Sequence, residues 1–137
     1  MAKKTMNRYM LDTNTVSHFI KGISNVRNRI ISVPMSSLTI SAITEGELLF
    51  GVAKKPEAKQ LSLVVHELLI RVDVLPWDST AAACYGTLRA KLQKKGKMLG
   101  NLDLLIAAHA LSLGIILITS DRTFNQVDGL KIEDWDQ

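Results

Sequence analysis

The chain has 137 residues, of which 47% are hydrophobic and 22% charged. That excludes an intrinsically disordered segment and suffices for one domain with a sizeable core. The net charge of +4 permits a nucleic-acid partner without requiring one.

The opening MAKKTMNR is basic, but no apolar stretch follows it. It reads as a frayed tail over about residues 1–7 rather than a signal peptide, and Met6 offers an alternative start. Residues 8–11 form a short apolar strand that stops at Asp12. Helices follow over 13–21, ended by Gly22, and over 24–31, ahead of the breaker Pro34. The β-branched run at 38–41 is a second strand. A helix over 45–54 closes before Pro56. Across 57–69, Leu61, Val64, Val65, Leu68 and Leu69 make the stripe of an amphipathic helix. RVDVL is a third strand. A long helix spans 79–95, with Gly96 past its end, and another spans 102–113, apolar almost all round. The continuous apolar strand at 115–119 implies burial on both faces. LKI suits a short edge strand, with Trp135 as an anchor behind it. No apolar run reaches the roughly 18 residues that span a bilayer. The lone Cys84 excludes an internal disulfide and suits a reducing, cytoplasmic setting. Its alanine neighbours mark it as a small buried side chain. Strands alternating with helices predict a single α/β domain over 1–137, its parallel sheet covered on both sides.

In open parallel sheets, ligands bind beyond the carboxyl ends of the strands. Asp12 follows the first strand, and Asp121 follows the apolar strand in LITSDRTF. Glu47 falls early in the helix after the second strand, and Asp103 opens the apolar helix. Each has a structural alternative. Asp12 and Asp121 suit helix caps or turns. Thr44 and Glu47 match a capping box, and Asp103 suits the positive end of a helix dipole. What favours chemistry is that all four fall at one edge of the sheet. Four convergent carboxylates repel one another unless one takes up a proton or a cation joins them. An oxygen-only set suits Mg²⁺ or Mn²⁺, and the matching reaction is hydrolysis of a phosphodiester.

Five segments in order, MLDTNTVSHF, ISAITEGELLFG, GNLDLLIAAHAL, LITSDRTF and GLKIEDW, resemble the VapC-type PIN-domain ribonucleases, toxins of bacterial toxin–antitoxin modules. The resemblance runs from about Tyr9 to Trp135. It implies a PIN-like three-layer α/β/α sandwich around a central parallel sheet. It implies a Mg²⁺-dependent endoribonuclease, with Mn²⁺ an alternative, that cuts structured RNA such as a tRNA or rRNA loop and so inhibits translation. Under it Asp12, Glu47, Asp103 and Asp121 become the catalytic, metal-binding quartet, with Asn14 and Thr119 as polar supports. Glu47, rather than Glu45, matches the family's E-L-x-x-G placement. The implied partners are a VapB-type antitoxin whose C-terminal segment blocks the site, a second copy in a homodimer, and operator DNA through the toxin–antitoxin complex. No membrane partner is implied. The basic stretch before Arg8 is longer than the family pattern.

RAKLQKKGK places Arg89, Lys91, Lys94, Lys95 and Lys97 ahead of Asp103. The alternatives are a solvated helix end, where lysines suit the C-terminal dipole, and a rim that grips phosphate through Arg89, Lys94, Lys95 and Lys97. Of these, Arg89 also matches a family position. Metal-free acid–base cleavage needs two histidines facing one phosphate. His66 belongs to the amphipathic helix, and His109 lies about 120° around its helix from Asp103. The rival reading is an acidic-pocket binding module, either a receiver-like switch or an inactive PIN-like scaffold. A receiver would carry an acidic pair after its first strand and a lysine where Asp121 stands.

Overall fold

The computed structural model describes residues 7–137, so most of the expected basic tail, including Met6, lies outside the described residues. In chain order the elements are β1 (Tyr9–Leu11), α1 (Thr13–Ile20), α2 (Ser24–Ser32), β2 (Leu38–Ser41), α3 (Ala42–Ala53) and α4 (Lys59–Arg71). They continue with β3 (Asp73–Leu75), α5 (Ser79–Lys94), α6 (Asn101–Leu113), β4 (Ile116–Ile118) and β5 (Ile132–Glu133). Single 3-10 turns, Met35–Ser37 and Arg122–Gln126, precede β2 and β5. Gly114 ends α6 with φ at 66°, the left-handed cap that glycine adopts without strain.

The five strands lie in the order β3-β2-β1-β4-β5, and every neighbouring pair is parallel. The chain builds outward from β1 to β3, then crosses to the other side for β4 and β5. The reversal falls between β1 and β4, and the crevice beyond their carboxyl ends is the ligand position in such sheets.

Side-chain alternation divides the core. Met10 and Leu117 enter one cluster with Leu88, Leu92 and Ile106 of α5 and α6. Leu11 and Ile118 enter the other with Val16, Val26 and Val65 of α1, α2 and α4. Adjacent strand residues face opposite layers, which is why IILIT is apolar throughout. The result is the expected α/β/α sandwich around a parallel sheet. Trp135 is buried, meets Tyr9 edge-on at 5.1 Å between centroids, and ties the chain's end to its first strand. Among the described residues, no helix is long and apolar enough to cross a membrane.

Two sequence expectations need correction. The helix expected from residue 45 starts at Ala42, because β2 runs straight into it with no loop. Ser41 is its cap, accepting from the Ile43 N–H at 3.1 Å. Thr44 is therefore inside the helix and fully buried, so the Thr44–Glu47 capping box does not form. Cys84 is half-buried rather than buried, packed at the margin of the α5–α6 core.

Candidate active site

Asp12 ends β1 and starts α1. Its backbone N–H donates to the Ile118 carbonyl at 3.1 Å, which carries the β1–β4 pairing one residue further. Its Oδ1 accepts from the Thr15 N–H at 2.8 Å, so the carboxylate does cap α1. The Thr15 hydroxyl donates to the same Ile118 carbonyl at 3.0 Å. Asp12 is only 3% exposed. Burial pushes its carboxyl above the usual range, hydrogen bonds from Thr119 and Thr15 pull it back, and the charge of Asp121 adds to the rise. An N-cap alone needs no such burial, since a capping carboxylate is equally satisfied at the surface.

Glu47 reaches the crevice from α3. Its Oε1 accepts from the Thr13 hydroxyl at 2.9 Å, and that hydroxyl lies 3.3 Å from Thr44 Oγ1. Thr13 is the first residue of α1, so the turn that Asp12 caps also aims a hydroxyl at Glu47. Asp103 sits in the first turn of α6 and leans back over Gly100, where an added Cβ would stand 3.5 Å from its Oδ2. Burial raises its carboxyl first, and the charges of Asp121, Asp12 and Glu47 push the same way. Asp121 caps the last 3-10 turn, with Oδ1 accepting from the Thr123 N–H at 2.9 Å and the Thr123 hydroxyl at 2.8 Å. Thr119 is buried and accepts from the Asp121 N–H at 3.0 Å.

A cavity of about 490 Å³ opens here, with Asp12, Thr13, Asn14, Glu47 and Asp103 in its wall. Asp121 borders a second, polar cavity of about 240 Å³ that it shares with Thr119, Arg122 and Asn125. Glu45 enters neither wall. The four carboxylates thus share one electrostatic field while arriving from four separate segments. Among the described residues, no ion pair neutralises any of them. Nor do three His, Cys, Asp or Glu side chains there close into a ready-made metal cage.

The basic residues stand apart. Arg89 is exposed and donates to the Tyr85 hydroxyl at 2.9 Å. Lys95 pairs with Asp128 at 3.0 Å, and Lys94 and Lys97 are exposed. None of these four lines the acidic cavity. The histidines also stand apart. His18 Nδ1 lies 2.7 Å from Asp136 Oδ2, His66 is exposed on α4, and His109 is buried against Ser41. No two of them face one phosphate-sized space, which removes paired-histidine catalysis.

The chain matches the family model described as PIN domain over residues 9–130. It is 38% identical, over 95% of its own length and 99% of the relative's, to the tRNA(fMet)-specific endonuclease VapC of Salmonella typhimurium. It is 35% identical, over 95% of its length and 99% of the relative's, to ribonuclease VapC2 of Haemophilus influenzae. Its fold superposes on a chain of the DNA-bound VapBC of Salmonella typhimurium with a TM-score of 0.88 at 38% identity, covering 95% and 99% of the two chains. For VapBC2 of Rickettsia felis, bound to a promoter DNA fragment, the TM-score is 0.86 at 31% identity, covering 93% and 98%. The chain belongs to the PIN-domain family and, within it, to the VapC ribonucleases of toxin–antitoxin systems.

Proposed function

We propose that the chain cleaves structured RNA in a reaction that requires a divalent cation held by Asp12, Glu47, Asp103 and Asp121. One observation carries this reading: Asp12, Glu47 and Asp103, from three separate segments, line one cavity at the β1–β4 switch point, and Asp121 borders the cavity beside it, near enough for its charge to raise the Asp103 carboxyl. The donor set fits the cation. It is all oxygen, and among the described residues no ion pair neutralises any of the four carboxylates. Mg²⁺ binds through one or two carboxylates and keeps several waters, so it needs no closed cage of side chains, with Mn²⁺ the alternative. When bound, it supplies an acidified water and stabilises charge on the phosphoryl oxygens. The chain's own residues hold the arrangement. The Thr15 N–H and Thr119 fix Asp12, the Thr13 hydroxyl orients Glu47, and Asn14 offers a polar contact at the cavity mouth. Arg89, Lys94, Lys95 and Lys97 serve as an outer phosphate-binding rim, away from the reacting bond.

We place tRNA first as substrate, because two similar proteins are named for tRNA(fMet). The test is incubation of total RNA with the purified protein. EDTA abolishes cleavage, Mg²⁺ or Mn²⁺ restores it, and the products carry 5′-phosphate and 3′-hydroxyl ends because water attacks the phosphorus. Full activity in EDTA, or 2′,3′-cyclic phosphate ends, overturns the reading.

For the partner we propose a VapB-type antitoxin, as in the similar VapBC complexes. An open apolar groove of about 350 Å³ among α1, α2 and α4, lined by Phe19, Ile30, Met35, Leu63 and Leu68, is its docking surface. Leu63 is 64% exposed, so Leu63→Lys leaves the fold intact and weakens capture by a co-expressed antitoxin. Capture as strong as wild type puts the antitoxin elsewhere. A homodimer, and operator binding through the toxin–antitoxin complex, complete the proposed assembly.

A further inference from the structure

His109 takes no part in the site described above, yet it is 1% exposed on an otherwise apolar stretch of α6. A buried imidazole costs stability unless its nitrogens are satisfied. Among the described residues, no buried side-chain nitrogen or oxygen lacks a partner, and the ring's partner is a hydroxyl on another element. Its Nδ1 lies 2.8 Å from Ser41 Oγ. Ser41 Oγ already accepts from the Ile43 N–H, so in the neutral ring with its proton on Nε2 the Ser41 hydroxyl donates to Nδ1.

Ser41 is the pivot. It closes β2 and caps α3 through the Ile43 N–H at 3.1 Å. One hydroxyl thus donates to α6 and accepts from α3, using its proton and a lone pair. Ser41 stands six residues before Glu47, and His109 stands six residues after Asp103. At 1.5 Å per residue, each end of the link lies about 9 Å along the helix axis from the position that bears the carboxylate on its side. An apolar pair would fill this space at no cost in unsatisfied groups. Apolar contact, however, is non-directional, whereas a satisfied hydrogen bond specifies one register between the two helices.

We infer that His109 is a positioning residue: through Ser41 it locks α6 to the start of α3 and so sets the spacing of Asp103 and Glu47. The inference rests on the metal-dependent reading of that site.

The experiment compares wild type, His109→Leu, Ser41→Ala, the double variant and His109→Asn. Each is measured for Mn²⁺ affinity by calorimetry, for kcat and KM on RNA, and for urea unfolding. His109→Leu and Ser41→Ala both stay folded and lose about 10- to 100-fold in Mn²⁺ affinity and kcat, the range seen when groups behind a metal ligand or a reacting geometry are displaced. KM for RNA stays near wild type, since the rim is untouched. The double variant loses no more than Ser41→Ala alone, because Ser41→Ala already removes the bond to His109 along with the α3 cap. His109→Asn, whose Oδ1 can accept from Ser41, recovers most of the loss, although its stability need not recover. If His109→Leu does not fold, Ser41→Ala carries the same comparison alone. Folded variants with wild-type Mn²⁺ affinity and kcat overturn the inference, as do losses that multiply in the double variant. A wild type that neither binds Mn²⁺ nor cleaves overturns the reading of the site, and this inference with it.

Discussion

Asp12 is at once a helix cap and a buried member of an acidic cluster, and the two roles make opposite demands. Capping is served by any short acceptor, and asparagine supplies one about as well as aspartate. Negative charge is needed only for a cation. Asp12→Asn therefore keeps the Thr15 hydrogen bond and removes one of four repelling charges. Without metal the variant gains stability, by about 0.5–2 kcal/mol, the range of substitutions that relieve a strained functional site. Its RNA cleavage collapses, and Mg²⁺ raises its melting temperature less than that of wild type, because only a ligand of the native state stabilises it. Thermal melts with and without Mg²⁺, beside a cleavage assay, decide the matter; unchanged cleavage with an unchanged Mg²⁺ response would return Asp12 to a cap alone. The acidic residues were legible because a carboxylate ending an apolar strand, or opening an apolar helix, has no simple packing role. Thr13 was not legible. Its hydroxyl meets Glu47 across 34 positions of sequence, and no local pattern marks such a pairing. The capping box failed for the converse reason: Thr44 fitted a local rule that Ser41, three residues earlier, had already satisfied.

At the level of elements, apolar runs, the stripe on α4 and breakers located each strand and helix, since β1 and β4 bury both faces in two separate cores and α4 buries one. The start of α3 escaped because a strand that passes directly into a helix has no loop residues to announce it. The role of His109 escaped because an imidazole among apolar residues reads as filler until its partner on another element is known. Its burial has a consequence for pH. Desolvation lowers its pKa from 6.5, against a smaller opposing pull from the Asp78 charge and the Pro76 carbonyl. The folded state therefore binds fewer protons here than the unfolded state. The stability tied to this ring is complete above pH 6.5 and is lost as pH falls below that value. Asp12 and Asp103 act in the other sense: their raised pKa values favour the fold below about 3.8 and withdraw that contribution as pH rises through their folded values. His109→Asn removes the first effect and leaves the second in place. The urea midpoint of wild type, minus that of His109→Asn, therefore shrinks between about pH 8 and about pH 5 in metal-free buffer. A difference that is flat across this range would mean that the ring titrates alike in the native and unfolded states, and one that widens as pH falls would mean that the fold favours the charged imidazole.

Across the whole molecule, charge is arranged in opposition. The chain carries +4 overall, yet four of its carboxylates gather at the crevice that the sheet topology opens. Lys94, Lys97 and Arg89 are exposed away from that crevice, and Lys95 is partly matched by Asp128. RNA is a polyanion, so the outer cations attract it by releasing its counterions, and the crevice repels it. A divalent cation reverses only the second of these effects. Two dependences on salt should consequently separate. Raising NaCl weakens RNA binding throughout, and Arg89→Ala lowers the slope of log affinity against log salt by about one, without changing the response to metal. Mg²⁺ added at constant ionic strength tightens binding to the wild type. The same addition does nothing for Asp103→Asn, whose lost charge weakens the hold on the cation. The measurement uses a tRNA strand with a non-hydrolysable linkage, so that cleavage does not remove the ligand, and reads affinity by fluorescence anisotropy. If Mg²⁺ weakens wild-type binding as NaCl does, the cation acts only as a screening ion, and the acidic crevice does not receive the scissile phosphate.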